Sequence, residues 1–251
     1  MANVIFIHGI SKQTTGYSNG FFKKIVRAYK KNMKKKKYSK QTIDDKIASL
    51  NQHEILWADT TTDLTNRYEH LQYGVRKRPG KYNPITRAVD PLFIQILSYA
   101  LEKKSNKKLK IVKKVDEGFQ SICLEDKTIV IAHSLGTVIS FDYLFGFTDY
   151  KMNSKINIDM LITMGSPIPV FTSAMGHPYS ELRLPKNVKS WINILDPDDV
   201  VAKFCKNHFK NIAIKDEIVN TGFAPLSSHS NYWRSNKVAD LIAKKMISCK
   251  I

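Results

Sequence analysis

Four short segments decide what this chain can become: NVIFIHG (Asn3–Gly9), KTIVIAH (Lys127–His133), IDMLITMGSP (Ile158–Pro167) and VKSWINILD (Val188–Asp196). Each is a run of β-branched and other apolar residues without a polar alternation. A strand that is apolar on both sides needs cover on both sides, which is the habit of parallel strands sandwiched between helices. The intervening stretches have helical spacing instead. Over 19–36, Phe22, Val26, Tyr29 and Met33 mark one face, and Lys23, Lys24, Arg27, Lys30, Lys31, Lys34 and Lys35 cover the rest. LFIQILSYALEKK (Leu92–Lys104) predicts an apolar helix, 107–122 a second basic helix, and 236–247 a helix with Val238, Leu241, Ile242 and Met246 on one face. LGTVISFDYLFG (Leu135–Gly146) is apolar nearly all round, so it predicts a buried helix.

The remaining stretches are less distinctive. HEILWAD (His53–Asp59) predicts a second strand, 62–73 a polar helix, and Phe209–Gly222 one strand or a short hairpin. Gly74–Pro91 is repeatedly punctuated by glycine and proline and predicts a loop or flap. No repeat or linker divides the 251 residues, a length that suits a single α/β domain over 1–251. The expected layout is strands alternating with helices, a mostly parallel central sheet of about six strands, and helices on both faces.

In such sheets ligands sit beyond the carboxyl ends of the strands. Those ends carry His8, Gly9 and Ile10, then His133, Ser134, Leu135 and Gly136, then DPDDVVA (Asp196–Ala202), and finally SSHSNYW (Ser227–Trp233). Ser134 lies in A-H-S-L-G, a form of G-x-S-x-G. There a strand turns into a helix so sharply that the serine backbone is strained and its neighbours two residues away must be small. Ala132 and Gly136 meet that need. A buried serine that merely caps a helix is the competing reading.

A serine hydroxyl becomes a nucleophile only beside a base. Of seven histidines, His8 and His133 belong to their own turns, His53, His70 and His208 stand at the wrong places, and His177 reads as a loop or pocket residue. His229, in a polar loop before the last helix, is the preferred base. The base in turn needs a carboxylate, and Asp196, Asp198 and Asp199 all follow one strand. Asp196 can cap the turn with Pro197; Asp198 and Asp199 are adjacent, so one of them at most reaches His229. Gly9 allows close backbone approach, and the N–H groups of Ile10 and Leu135 are the natural donors to an oxyanion.

The whole set resembles the α/β-hydrolase superfamily, within it the lipases and esterases. VIFIHGI is similar to the His-Gly oxyanion segment, IAHSLG to the nucleophile elbow with alanine in first place, and SHSNYW to the histidine segment, where an aromatic often follows. DDVVA is similar to the acid segment of lipases, and that resemblance selects Asp199. It implies a three-layer α/β-hydrolase fold and a serine hydrolase cleaving carboxylic esters, lipid esters among them, through an acyl-enzyme. The His-Gly strand comes first here, where superfamily members usually have two strands before it, so the sheet is expected to be truncated. The same residues would serve a thioesterase or an acyltransferase. The competing class is a non-catalytic module that keeps the fold and binds membrane or nucleic acid with a basic face.

Two insertions are expected to cover the pocket, 74–91 and 165–188. In the second, Ile168, Val170 and Phe171, together with Gly9, are the candidate substrate contacts. No cofactor is expected, and no metal either: Asp196, Asp198 and Asp199 could bind a cation, but a hard cation wants further oxygen ligands that the sequence does not place. Cys123, Cys205 and Cys249 are odd in number and far apart, which fits free thiols in a reducing compartment. No export signal precedes the first strand and no apolar run is long enough for a membrane span, so a cytoplasmic enzyme is expected, with signal-less export still open. The net charge of +18 favours an acidic partner. The basic helices 19–36 and 107–122 could hold an anionic membrane surface; equally, they are the solvated outer faces of helices in a lysine-rich chain, and nucleic acid is disfavoured by the lack of a recognition motif.

Overall fold

The computed structural model describes residues 1–10, 13–61, 96, 99, 107–122, 126–147, 156–175, 182–209, 211–222 and 225–251. Six strands form within them: β1 (Ala2–Ile7), β2 (Leu50–Ile55), β3 (Lys127–His133), β4 (Met160–Met164), β5 (Trp191–Leu195) and β6 (Ile214–Ile218). They make one sheet in the order β2-β1-β3-β4-β5-β6, and every neighbouring pair is parallel. Among the described residues there are seven α-helices: α1 (Asn19–Lys35), α2 (Lys40–Ala48), α3 (Lys107–Gln120), α4 (Leu135–Leu144), α5 (Ile168–Met175), α6 (Pro225–Asn231) and α7 (Asn236–Ser248).

The unbroken apolar strands are explained by cover on both faces. Alternate residues of each strand enter different cores. Val4, Phe6, Ile129, Ile131, Ile162 and Ile194 pack with α1, α7 and Ile43 of α2. Ile5, Ile7, Val130, Ala132, Leu161 and Trp191 pack with α3 and α4 on the opposite side. The architecture is thus three layers, helix–sheet–helix. All ten residues of α4 are buried, as its apolar circumference requires. Two of its buried polar groups find partners outside the helix: Asp142 accepts from the Tyr99 hydroxyl at 2.7 Å, and the Tyr143 hydroxyl donates to Asp116 at 2.5 Å.

Several boundaries differ from the sequence expectation. The second strand is Leu50–Ile55 rather than 53–59, because Trp57 leaves the sheet to stack on His8 and Ala58–Thr61 form a 3-10 turn. The 40–48 stretch is a helix that periodicity did not reveal. Its start is fixed by Ser39, whose hydroxyl accepts from the Thr42 N–H at 3.1 Å. Residues 209–222 supply one strand, not a hairpin. The 62–73 helix, the 74–91 flap, most of 92–104, and His70 and His177 lie outside the described residues; Ile96 and Tyr99 are helical. Cys205 and Cys249 are free thiols. No helix among the described residues is long and apolar enough to cross a membrane.

The topology places one crevice. The chain leaves β1 for β2 on one side, by way of α1 and α2 on one face. It leaves β3 for β4 on the other side, by way of α4 on the opposite face. The carboxyl ends of β1 and β3 therefore flank a topological switch point, where an open parallel sheet leaves room for a ligand.

Candidate active site

Ser134 stands between the last residue of β3 and the first of α4, with φ 55° and ψ −130°. That backbone region is costly for any residue with a Cβ, about 1–3 kcal/mol. The surroundings hold it there. The Ser134 N–H donates to the Met164 carbonyl at 3.0 Å, and its carbonyl accepts from the Thr137 N–H at 2.9 Å and the Thr137 hydroxyl at 2.6 Å. The small neighbours have a geometric cause. A Cβ at Gly136 would lie 2.3 Å from the His8 carbonyl oxygen, and one at Gly9 would lie 2.5 Å from the Ser134 Cβ. The ends of β1 and β3 thus meet at backbone distance.

His8 fixes the next peptide. Its Nδ1–H donates to the Gly9 carbonyl at 2.6 Å, while its Nε2 accepts from the Trp57 N–H at 3.4 Å. The Trp57 indole stacks on the imidazole at 5.1 Å and donates its Nε1–H to the His8 carbonyl at 2.8 Å. Burial lowers the His8 pKa to about 4, so the ring is neutral near pH 7. With the Gly9 carbonyl turned to this ring, the planar trans peptide directs the Ile10 N–H the opposite way. The Leu135 N–H, at the first turn of α4, belongs to the helix-start donors that have no intrahelical acceptor. It also sits at the positive end of the helix dipole.

Three segments remote in sequence converge on the serine hydroxyl. The distance from Ser134 Oγ to His229 Nε2 is 2.8 Å, and from His229 Nδ1 to Asp199 it is 2.9 Å for Oδ2 and 3.1 Å for Oδ1. The protonation pattern follows from the partners. An ionised carboxylate only accepts, so Nδ1 carries the imidazole proton, Nε2 is the free acceptor, and the serine hydroxyl donates to it. Asp199 is fully buried as a side chain, while His229 retains 23% exposure. Burial pushes the Asp199 pKa up, but the hydrogen bond and charge of His229, the Val201 N–H at 2.9 Å and the Tyr232 hydroxyl outweigh it, and the carboxyl ends below its usual range.

Tyr232 and Gly165 shape the Asp199–His229 pair, and neither stands out in the sequence. The Tyr232 hydroxyl donates to Asp199 Oδ2 at 2.9 Å and accepts from the Asp196 N–H at 2.8 Å. Burial, and after it the Asp199 charge, raises the tyrosine pKa, so the phenol stays protonated and donating. Gly165, just past β4, adopts φ +58°; a Cβ there would sit 2.9 Å from the Tyr232 ring, 3.1 Å from Asp199 Oδ2 and 3.2 Å from His229 Nδ1. Glycine answers both the left-handed backbone and the lack of room. His133, beside the serine in sequence, points its ring to the histidine from the other side. Its Nε2–H donates to the His229 backbone carbonyl at 2.7 Å. Burial, then the proximity of His229, lowers the His133 pKa to about 3, so it serves as a neutral donor.

The other strand-end residues separate cleanly. Asp196 Oδ1 accepts from the Asp198 N–H at 3.0 Å, and its Oδ2 accepts from the Thr221 N–H and hydroxyl at 2.5 and 2.7 Å, so Asp196 ties two loops together. Asp198 is exposed. His53 pairs with Asn3 at 3.1 Å and His208 with Thr172 at 2.7 Å, both away from Ser134. His229 lies on the short helix α6 rather than in a loop. Residues 168–175 form α5, where a loop was expected. Ile168 is fully buried in the core that contains Leu135, Phe171 packs against that core, as does Ile10, and Val170 is half exposed. No protein-family model and no curated protein matches the chain.

Proposed function

We propose that the protein is a serine hydrolase of the α/β-hydrolase type that cleaves carboxylic esters through an acyl-enzyme. The observation that carries this reading is the unbroken hydrogen-bonded chain from Ser134 through His229 to Asp199, on a serine held at positive φ. A helix-capping serine has no need of either. The sharp turn, the parallel sheet and the strand order around the switch point also fit that fold type.

The chemistry follows the proton. Ser134 Oγ attacks the ester carbonyl carbon as its proton passes to His229 Nε2, and Asp199 stabilises the imidazolium that results. The carbonyl oxygen takes the negative charge, with the Ile10 and Leu135 N–H groups as its donors; each such donor is worth about a hundred- to a thousandfold in rate. The carbon–oxygen bond to the alcohol then breaks, and His229 returns the proton to the departing alkoxide. Water repeats the attack on the acyl-serine, giving its proton to His229, and the carboxylic acid leaves as the Ser134 hydroxyl is restored. Ionised Asp199 is required throughout, and its lowered pKa keeps it so.

A panel of p-nitrophenyl esters of rising acyl length tests the reading. Turnover is expected with a maximum at one range of chain length, and Ser134→Ala should abolish it. Equal turnover by the Ser134→Ala protein would overturn the assignment, and a flat response to chain length would remove lipid esters from the substrate class.

A further inference from the structure

Charge is distributed unevenly over this fold. The segments 19–48 and 236–251 hold fifteen Lys and Arg against three Asp, a surplus of twelve in 46 residues. The other 205 residues hold twenty-five against nineteen, a surplus of only six. A uniformly lysine-rich composition would not divide in this way. The fold brings the two segments together on one side. α1 and α7 pack against each other over the same sheet face, with Ile43 of α2 in the same core. Lys24 Nζ donates to Asn236 at 3.0 Å, and Asn32 donates to Asp240 at 2.8 Å, binding the helices side by side.

The outward side of this layer is a cationic plate. Twelve of the fifteen basic residues are exposed. Among the described residues, ion pairs engage only Lys30 with Asp44, Lys244 with Asp240, and Lys245 with Glu217. α1 alone extends about 25 Å, from its 17 residues, with no acidic residue in its length. On the opposite layer, by contrast, α3 carries an exposed acid of its own, Glu117, which pairs with Lys113 at 3.9 Å.

We propose that this α1–α2–α7 face docks the protein on an anionic lipid surface. The composition of the plate selects that partner. Fourteen of the fifteen cations are lysines, compact, hydrated charges suited to diffuse attraction; arginine, with its planar fork, is the residue for discrete phosphate recognition. Base stacking needs aromatic platforms, and Tyr38, 44% exposed, is the one exposed aromatic of these two segments. Its place beside Lys36 and Lys37 at the end of α1 suits an amphipathic ring at the headgroup level. Each lysine near an anionic bilayer strengthens adsorption about fivefold. The face lies beside the catalytic edge, because the first turns of α1 and α7 reach it, and the inference holds whether or not Ser134 is a nucleophile.

Co-sedimentation of the full chain with phosphatidylserine–phosphatidylcholine vesicles, against pure phosphatidylcholine vesicles, tests this. Binding is expected only to the anionic vesicles, is lost in high salt, and is equal for the Ser134→Ala protein, which separates this result from the hydrolase question. Substituting Lys23, Lys31, Lys34 and Lys35 by Gln should weaken binding by about a hundredfold or more. Substituting Lys110, Lys114, Lys186 and Lys206 by Gln, an equal change of charge elsewhere, should leave it within a few fold. Absence of binding to anionic vesicles at low salt, or equal loss in the two quadruple variants, overturns the proposal. Tighter binding to duplex RNA or DNA than to the vesicles at the same ionic strength also overturns it.

Discussion

Replacing Tyr232 by Phe removes one oxygen atom and leaves the ring packing against Gly165 and His133 in place. That oxygen makes two hydrogen bonds, one to the buried Asp199 carboxylate and one from the Asp196 N–H. A hydrogen bond to a charged group contributes about 1.5–3 kcal/mol, and a buried N–H left without an acceptor costs about 1–3 kcal/mol. Relief through small shifts leaves a net loss of stability of about 2–4 kcal/mol. The catalytic effect comes from the carboxylate. Asp199 keeps its bonds to His229 and the Val201 N–H but is no longer fixed at Oδ2. If about half of the lost bond to the carboxylate serves the imidazolium in the transition state, kcat falls about 4- to 12-fold. KM should change little, because the tyrosine is fully buried and out of reach of substrate. The assay is steady-state hydrolysis of the best p-nitrophenyl ester, at a temperature where circular dichroism shows the variant folded. A kcat within twofold of wild type, or a change confined to KM, would mean that the Tyr232 hydroxyl does not act through Asp199.

Two further outcomes follow from the same geometry. Ser134→Gly should abolish turnover yet stabilise the fold by about 1 kcal/mol, because glycine relieves the positive-φ strain; a rise in Tm of about 2–4 °C is expected for a domain this long, and a fall would mean that the turn is not strained. The buried neutral histidines set a pH dependence of stability. His133 and His8 have folded pKa values of about 3 and 4, below the unfolded histidine value, so the unfolded chain binds more protons between those values and about 6.5. Their contribution is fully present above about pH 6.5 and declines as the pH falls, by about 2 kcal/mol each by pH 5. Urea unfolding at pH 7 and pH 5 measures the loss, which His133→Gln should roughly halve; equal midpoints at the two pH values would contradict it.

What the sequence reveals depends on whether the cause is local. β1, β3, β4 and β5 are visible because burial on both faces demands apolar residues at most positions. β2 is an edge strand of mostly half-buried polar residues, so its pattern is weak and its predicted place slips by several residues. α2 has too shallow an apolar stripe to stand out, and only the Ser39 cap marks it. The strand-end rule and the resemblance to lipases drew Ser134, Asp199 and His229 from the sequence, since each stands where the rule looks for a ligand. Tyr232 was in view in SHSNYW, three residues after His229. Its hydroxyl, however, serves an aspartate 33 residues away, and nothing in an aromatic letter distinguishes that task from core packing. The tasks of His133 and Gly165 are likewise set by partners across the fold, the His229 carbonyl and the Asp199–His229 pair.

If His229 activates Ser134 as a nucleophile, the serine reacts with electrophiles that ordinary serines ignore. The most direct measurement of that reactivity is intact-mass and peptide mass spectrometry after reaction with a fluorophosphonate. A single adduct is expected on Ser134, none in Ser134→Ala, and a rate of labelling in His229→Ala lower by several orders of magnitude. An unlabelled wild-type protein, or an adduct that persists in Ser134→Ala, would contradict it.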